Sequence, residues 1–184
     1  MTRVVAGTAR GRQLVVPEGV VTRPTTDRAR EAMFSSLLSL LDLEGARVLD
    51  LYAGTGALGL EALSRGASTA VLVDSDPRAV QALRHNVDSL ALPGAVVIDT
   101  PVEQFLARSP EGAYPEGFDL AVLDPPYEYD VVPTLVALLP WLAADAVIVV
   151  ERKTRGEQFS WPEGFEPVRD RKYGASTLRY ALRA

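Results

Sequence analysis

The sequence predicts an α/β protein: a single domain, 1–184, on a seven-stranded, mostly parallel, doubly wound sheet with an antiparallel last strand and an N-terminal β-hairpin plus helix extension. Three observations carry this expectation. From Arg47 onward, short β-branched runs alternate with Gly turns and helix-length amphipathic stretches, the pattern of a parallel sheet wrapped by helices. Near the C-terminus the alternation stops, and two strand-like runs face each other across a Gly-containing turn. The chain's 184 residues, 47% hydrophobic and 23% charged, are enough for one α/β core and too few for two comfortable ones.

The elements follow in order. Arg3–Val16 places two β-branched runs around a Gly- and Arg-rich turn and reads as a hairpin, the core of a basic extension over 1–26. Arg23-Pro24-Thr25-Thr26-Asp27 offers a fixed turn and several N-cap residues. Ala29, Met33, Phe34, Leu37, Leu38 and Leu41 then recur at helical spacing, which predicts a helix from about Arg28 to about Leu41. Next come a strand at Val48–Tyr52, a helix at Leu58–Ser64, a strand at Thr69–Asp74, a helix opened by Pro77, a strand at Ala95–Asp99 and a helix at Val102–Ala107. A Pro/Gly/Glu-rich loop, Ser109–Gly117, leads to a buried-type strand at Asp119–Leu123, a helix at Val131–Leu142 and a strand at Ala146–Val150. Phe165–Lys172 and Ser176–Leu182 form the closing antiparallel pair, turning at Tyr173-Gly174-Ala175.

Composition narrows the chemistry. Zero cysteines exclude disulfides, thiolate zinc sites and cysteine nucleophiles; with a single histidine, His85, neither a His-built metal site nor a Ser-His-Asp triad is expected, and no metal is expected. The apolar runs are strand-sized, far short of the roughly 18 residues of a membrane span, and no signal-peptide core is evident, so a cytoplasmic protein without a membrane partner is expected. The net charge of -5 is unevenly spread: residues 1–30 carry +4, residues 31–150 carry -12, and residues 151–184 carry +3. The basic ends are where nucleic-acid phosphates would be held, and Arg3, Arg10 and Arg12 of the hairpin are the candidate contacts.

Two motifs carry reactive chemistry. The first, Val48-Leu49-Asp50-Leu51-Tyr52-Ala53-Gly54-Thr55-Gly56-Ala57-Leu58-Gly59, is a strand feeding a Gly turn at a helix start. Gly54-x-Gly56-x-x-Gly59 with Asp74 at the next strand's end also satisfies the dinucleotide fingerprint, so the spacing alone is ambiguous. Asp50 separates the readings: a carboxylate there opposes a pyrophosphate but suits the ammonium and sulfonium of S-adenosyl-L-methionine. Asp74 can accept from ribose hydroxyls, although Asp74, Ser75 or Asp76 could instead cap the helix that Pro77 opens.

The second motif, Leu120-Ala121-Val122-Leu123-Asp124-Pro125-Pro126-Tyr127, runs an apolar strand into an acid, two prolines and an aromatic. Prolines lack N–H groups and fix φ, so the segment leaves the sheet and presents carbonyl oxygens in a rigid array. An exocyclic amine on a nucleobase has its lone pair delocalised into the ring. Two acceptors on its hydrogens, the Asp124 carboxylate and the Pro125 carbonyl, would free and aim that pair, while Tyr127 stacks on the base.

Together these motifs resemble the class I methyltransferases that act on amino groups, with their acidic Gly-rich first loop and Asp/Asn-Pro-Pro-aromatic fourth-strand loop. Arg23-Pro24-Thr25, Arg30-Glu31-x-x-Phe34, the run Gly59-Leu60-Glu61-Ala62-Leu63-Ser64-Arg65-Gly66-Ala67, Asp124-Pro125-Pro126-Tyr127 and Lys172-Tyr173-Gly174 look more specifically like the bacterial 16S ribosomal RNA guanine-N2 methyltransferase family of the RsmD type, over nearly the whole chain. The resemblance implies a Rossmann-like class I fold, S-adenosyl-L-methionine as cofactor and small-subunit ribosomal RNA, free or in a particle, as partner. It places Asp50, Ala53, Gly54, Thr55, Gly56, Asp74 and Asp124 at cofactor positions and Asp124, Pro125, Pro126 and Tyr127 in the catalytic loop. Pro101 stands where many relatives carry Asp or Asn, which leaves the adenine contact to the Val102 backbone N–H. Residue types also allow a DNA adenine-N6 or protein glutamine methyltransferase, or, from another class, an NAD-binding or non-catalytic RNA-binding Rossmann module. His85 reads as a helix-surface residue, and Trp141 and Trp161 as packing.

Overall fold

A computed structural model describes residues 2–18, 27–156 and 159–184. The turn expected at Arg23-Pro24-Thr25-Thr26 lies outside the described residues, while Asp27 at its end is described and begins the helix that follows. The chain runs β1 (Thr2–Arg3), β2 (Gln13–Leu14), α1 (Asp27–Leu37), β3 (Arg47–Leu51), α2 (Ala57–Ser64), β4 (Thr69–Asp74), α3 (Pro77–Leu90), β5 (Ala95–Asp99), α4 (Val102–Leu106), β6 (Phe118–Leu123), α5 (Val132–Leu138), a 3-10 turn, β7 (Leu142–Lys153), β8 (Phe165–Tyr173) and β9 (Ser176–Arg183). The main sheet has the order β5-β4-β3-β6-β7-β9-β8. β9 is antiparallel to both its neighbours, and the pairings among β3 to β7 are parallel. This is the expected seven-stranded, doubly wound arrangement with an antiparallel last strand.

The central strands are apolar throughout because both faces are covered. Alternate residues enter opposite cores. Val48, Leu72, Leu120, Val122 and Val149 pack with the hairpin and helices α1 to α3. Leu49, Val71, Val73, Ala121, Ile148 and Val150 pack beneath α4 and α5. β3 lies between β4 and β6, so the chain goes out to β5 on one side and returns to the other. Open α/β sheets bind ligands beyond the carboxyl ends of the strands at such a reversal.

Several expected boundaries shift. The helix read to Leu41 ends at Leu37, where Ser39 Oγ donates to the Ser36 carbonyl at 2.7 Å and competes with continuation of the helix. The strand read as Val48–Tyr52 ends at Leu51, and Tyr52 turns out of it at φ 61°. The helix read to Leu142 stops at Leu138 and tightens into a 3-10 turn at Leu139–Trp141, because Pro140 has no N–H to continue it. β7 extends well past Ala146–Val150, since β6 pairs with it from Leu142 and β9 follows it to Lys153.

The hairpin's own strands are two residues each. Its loop is held instead by α2. The Glu61 carboxylate, 1% exposed, accepts the Val5 and Ala6 N–H groups at 2.8 and 3.0 Å, while Ser64 Oγ accepts from Ala9 N and donates to Ala6 O. Two residues of the Gly59-to-Ala67 run noted in the sequence, Glu61 and Ser64, therefore dock the extension. No helix among the described residues is long and apolar enough to cross a membrane.

Candidate active site

The Gly loop leaves β3 at the reversal point. Gly54 has φ 58° and open space where a Cβ would project, so its backbone can meet a ligand closely. Its N–H donates to Asp74 Oδ2 at 2.8 Å, and Asp74 Oδ1 accepts from Asp76 N. Asp76 caps α3, accepting from Arg78 N and Ala79 N, which leaves Asp74 to the loop rather than to the helix. Ala53 N bonds the Val73 carbonyl, and Thr55 O accepts from the buried Asn86 amide, whose other bonds go to both backbone groups of Val15.

Asp50 lies beneath this loop at 2% exposure, with Oδ2 accepting from Gly59 N at 2.9 Å. A Cβ on Gly59 would sit 3.2 Å from that oxygen and 2.2 Å from Leu72 Cδ2, so glycine is what allows α2 to close over the acid. Burial pushes the Asp50 carboxyl up to about 7, the charge of Asp74 adds to the rise, and the Gly59 bond opposes it. The cradle thus carries two carboxyls, and burial makes the charged form of Asp50 costly unless a positive group arrives beside it. A pyrophosphate would meet two acids there; an ammonium or sulfonium would complement them, so the residues fit S-adenosyl-L-methionine.

β6 pairs with β3 in parallel, and Asp124 N reaches the Leu51 carbonyl at 3.4 Å as the chain leaves the sheet. The Asp124-Pro125-Pro126-Tyr127 loop therefore emerges beside the Gly loop. Asp124 is exposed, Pro125 buried, Pro126 exposed and Tyr127 half-buried. The Tyr127 hydroxyl lies 3.4 Å from Ser176 Oγ, and Lys153 Nζ is 5.7 Å from the ring centroid.

Between the two loops stands a group that the sequence did not single out. Tyr52, at positive φ, puts its hydroxyl 3.2 Å from Glu103 Oε1 and 3.5 Å from Thr134 Oγ1. Tyr129 donates to the same Glu103 oxygen at 2.5 Å, and the two tyrosine rings meet edge-on at 6.1 Å. The Tyr129 hydroxyl holds the Glu103 carboxyl below its usual range, and burial raises the Tyr52 hydroxyl. The departure of Tyr52 from the strand was the available signal, and it shows only in the backbone. Val102 is buried and opens α4 after Pro101, whose side chain makes no capping bond.

The hairpin arginines divide. Arg3 pairs with Asp27 at 2.9 Å, Arg12 donates to the Ser89 carbonyl at 2.5 Å, and Arg10 is exposed. His85 is exposed, Trp141 is buried, and Trp161 packs half-buried between Phe159 and Phe165. Among the described residues no group of three or more His, Cys, Asp or Glu side chains could hold a metal ion.

The chain is similar to known proteins over nearly its whole length. The chain is 35% identical over 180 residues to the ribosomal RNA small subunit methyltransferase D of Escherichia coli K12, covering 96% of this chain and 87% of that one. It is 31% identical over 182 residues to the protein of the same name from Haemophilus influenzae, covering 96% and 91%. The solved structure of a hypothetical protein of Thermus thermophilus superposes with a TM-score of 0.80 at 36% identity, over 98% of each chain. The family model described as Conserved hypothetical protein 95 matches residues 2–182, and the chain belongs to that family.

Proposed function

We propose that this chain is an S-adenosyl-L-methionine-dependent methyltransferase acting on the exocyclic N2 amine of a guanine in 16S ribosomal RNA. One observation supports this above others: the adjacent strands β3 and β6 deliver, at one sheet reversal, an anionic Gly loop and an Asp-Pro-Pro-Tyr loop. The relatives' small-subunit ribosomal RNA substrate is carried over on the strength of near full-length similarity.

When bound, the cofactor supplies an electrophilic methyl group on a positively charged sulfur. Asp50 and Asp74 would hold it, with Ala53, Gly54, Thr55 and Gly56 shaping the loop around it and Val102 N–H reaching its base. The target guanine is turned out of its stack, at a cost of a few kcal/mol. The face of Tyr127 supports the ring. The Asp124 carboxylate and Pro125 carbonyl accept the amine's two hydrogens and aim its lone pair, and the proton the amine must lose is held at Asp124. Positioning supplies most of the acceleration. The hairpin, docked on α2 as part of the same domain, adds Arg10 as a phosphate contact, and Arg3 and Arg12 once their internal bonds exchange. The expected setting is the cytoplasm, on RNA free or within a small-subunit particle.

The test is transfer of tritiated methyl to ribosomal RNA from a strain lacking the enzyme, followed by nucleoside analysis. N2-methylguanosine is the expected product. Label in N6-methyladenine of DNA or in protein, with none in RNA, would overturn the substrate assignment.

A further inference from the structure

Arg152 lies near the end of β7, and its guanidinium reaches across to the loop that follows β6. It donates Nη1–H to the Pro126 carbonyl at 3.2 Å, and Nη2–H groups to the Tyr127 and Tyr129 carbonyls at 2.6 and 3.0 Å. The residue is only 7% exposed. A loop with two prolines has carbonyls that no ladder can satisfy, and a guanidinium offers five donors in a rigid fork that can hold several of them in one arrangement. The clamp is anchored on a strand flanked by β6 on one side and β9 on the other, Arg152 pairing with Thr177. Burial of the cation costs free energy, and the charges of Asp124 and Asp130 offset it. The Pro125 carbonyl, the one assigned to the substrate amine, is among those that Arg152 does not engage.

A second tie acts on the ring end of the loop. Ser176 Oγ, 3.4 Å from the Tyr127 hydroxyl, donates to Glu151 Oε1 at 2.8 Å, and Glu151 is 8% exposed. Neighbouring residues of one strand therefore hold the C-terminal half of the motif: Arg152 its backbone and Glu151, through Ser176, its aromatic ring.

We propose that Arg152 is a positioning residue for the reaction, setting the arc of the 124–129 loop so that the Asp124 carboxylate, the Pro125 carbonyl and the Tyr127 face address one base together. This rests on the amine-methylation reading above. Arg152→Met keeps the packing volume and removes the donors, Arg152→Lys keeps the charge without the fork, and Arg152→Ala opens space for free guanidinium.

Three measurements on the full-length protein test it: S-adenosyl-L-methionine affinity by calorimetry, single-turnover methyl transfer at saturating RNA, and amide hydrogen exchange of the loop peptide. The Gly loop is not touched, so affinity should stay within about twofold in every variant. The rate at saturating RNA should fall by a factor on the order of 100 in Arg152→Met, the scale of a small misplacement of reacting groups. Arg152→Lys should recover part of it, and guanidinium ion should partly rescue Arg152→Ala. Exchange at Tyr127, Glu128 and Tyr129 should rise at least about tenfold in Arg152→Met. Parental rates at saturating RNA, a defect confined to the RNA Michaelis constant, or unchanged loop exchange would each overturn the proposal. If Arg152→Met does not fold, Arg152→Lys carries the same comparisons. A parent protein that methylates no RNA would sink the substrate reading separately, and loop exchange, which needs no substrate, would still decide the clamp.

Discussion

Asp50→Asn removes a charge while preserving a bond, since the amide oxygen can still accept the Gly59 N–H that Oδ2 accepts at 2.9 Å. With the parent carboxyl near 7, a cationic ligand that needs the ionised form must displace a proton below that pH. Between about pH 7.5 and 5.5 the ionised fraction falls from roughly three-quarters to about 3%, so cofactor affinity should drop about 25-fold, or about 2 kcal/mol. At about pH 6.5 binding should release about 0.8 proton, measurable by calorimetry in buffers of different ionisation enthalpy. Asp50→Asn should bind weakly, with little pH dependence and no proton release. Without ligand the sign reverses. The folded carboxyl titrates above its unfolded value of about 3.9, so the native state binds more protons between about pH 4 and 7. The contribution of Asp50 to stability is therefore fully present below that window and lost across it, by up to about 4 kcal/mol, and Asp50→Asn should remove that component of the pH dependence. A parent affinity independent of pH with no proton release, or an Asp50→Asn profile matching the parent's, would refute the assignment of Asp50 to the cofactor's positive charge.

Glu61→Ala removes the buried acceptor of Val5 N, Ala6 N and Arg65 Nε, and should lower stability by about 3–5 kcal/mol in urea unfolding; a loss under about 1 kcal/mol would show that the hairpin is not docked through it. Asp124→Ala should reduce the single-turnover rate at saturating RNA, and near-parental methylation would rule out amine gripping by that carboxylate. Tyr127→Ala should chiefly raise the RNA Michaelis constant while Tyr127→Phe stays mild; a Phe variant as defective as Ala would transfer the role to the hydroxyl that faces Ser176. Arg10→Ala should make the salt dependence of RNA binding shallower by about 0.7–0.9 in log–log slope, whereas Arg3→Ala and Arg12→Ala, which lose bonds to Asp27 and Ser89, should also lower the melting temperature. An unchanged slope in Arg10→Ala would take the hairpin out of the RNA contact.

The sequence by itself determined the succession of strands and helices, because hydrophobic periodicity and Gly and Pro signals act over a few residues. The pairing of Phe165–Tyr173 with Ser176–Arg183 was legible for the same reason: its turn is local. The two reactive motifs were legible because their residues are contiguous, Asp50 to Gly59 and Asp124 to Tyr127. What only the tertiary structure decided is what meets across the chain. Parallel pairing of β3 with β6 brings Asp124 to the Leu51 carbonyl from 73 residues away. The reach of Glu61 to Val5, of Asn86 to Thr55 and of Arg152 to Pro126 depends on strand order, register and side-chain direction, none of which a local pattern specifies. The same holds for the fate of the hairpin arginines. Arg3, Arg10 and Arg12 read alike in the sequence, and only the fold gives Arg3 an ion pair with Asp27 and Arg12 a bond to the Ser89 carbonyl.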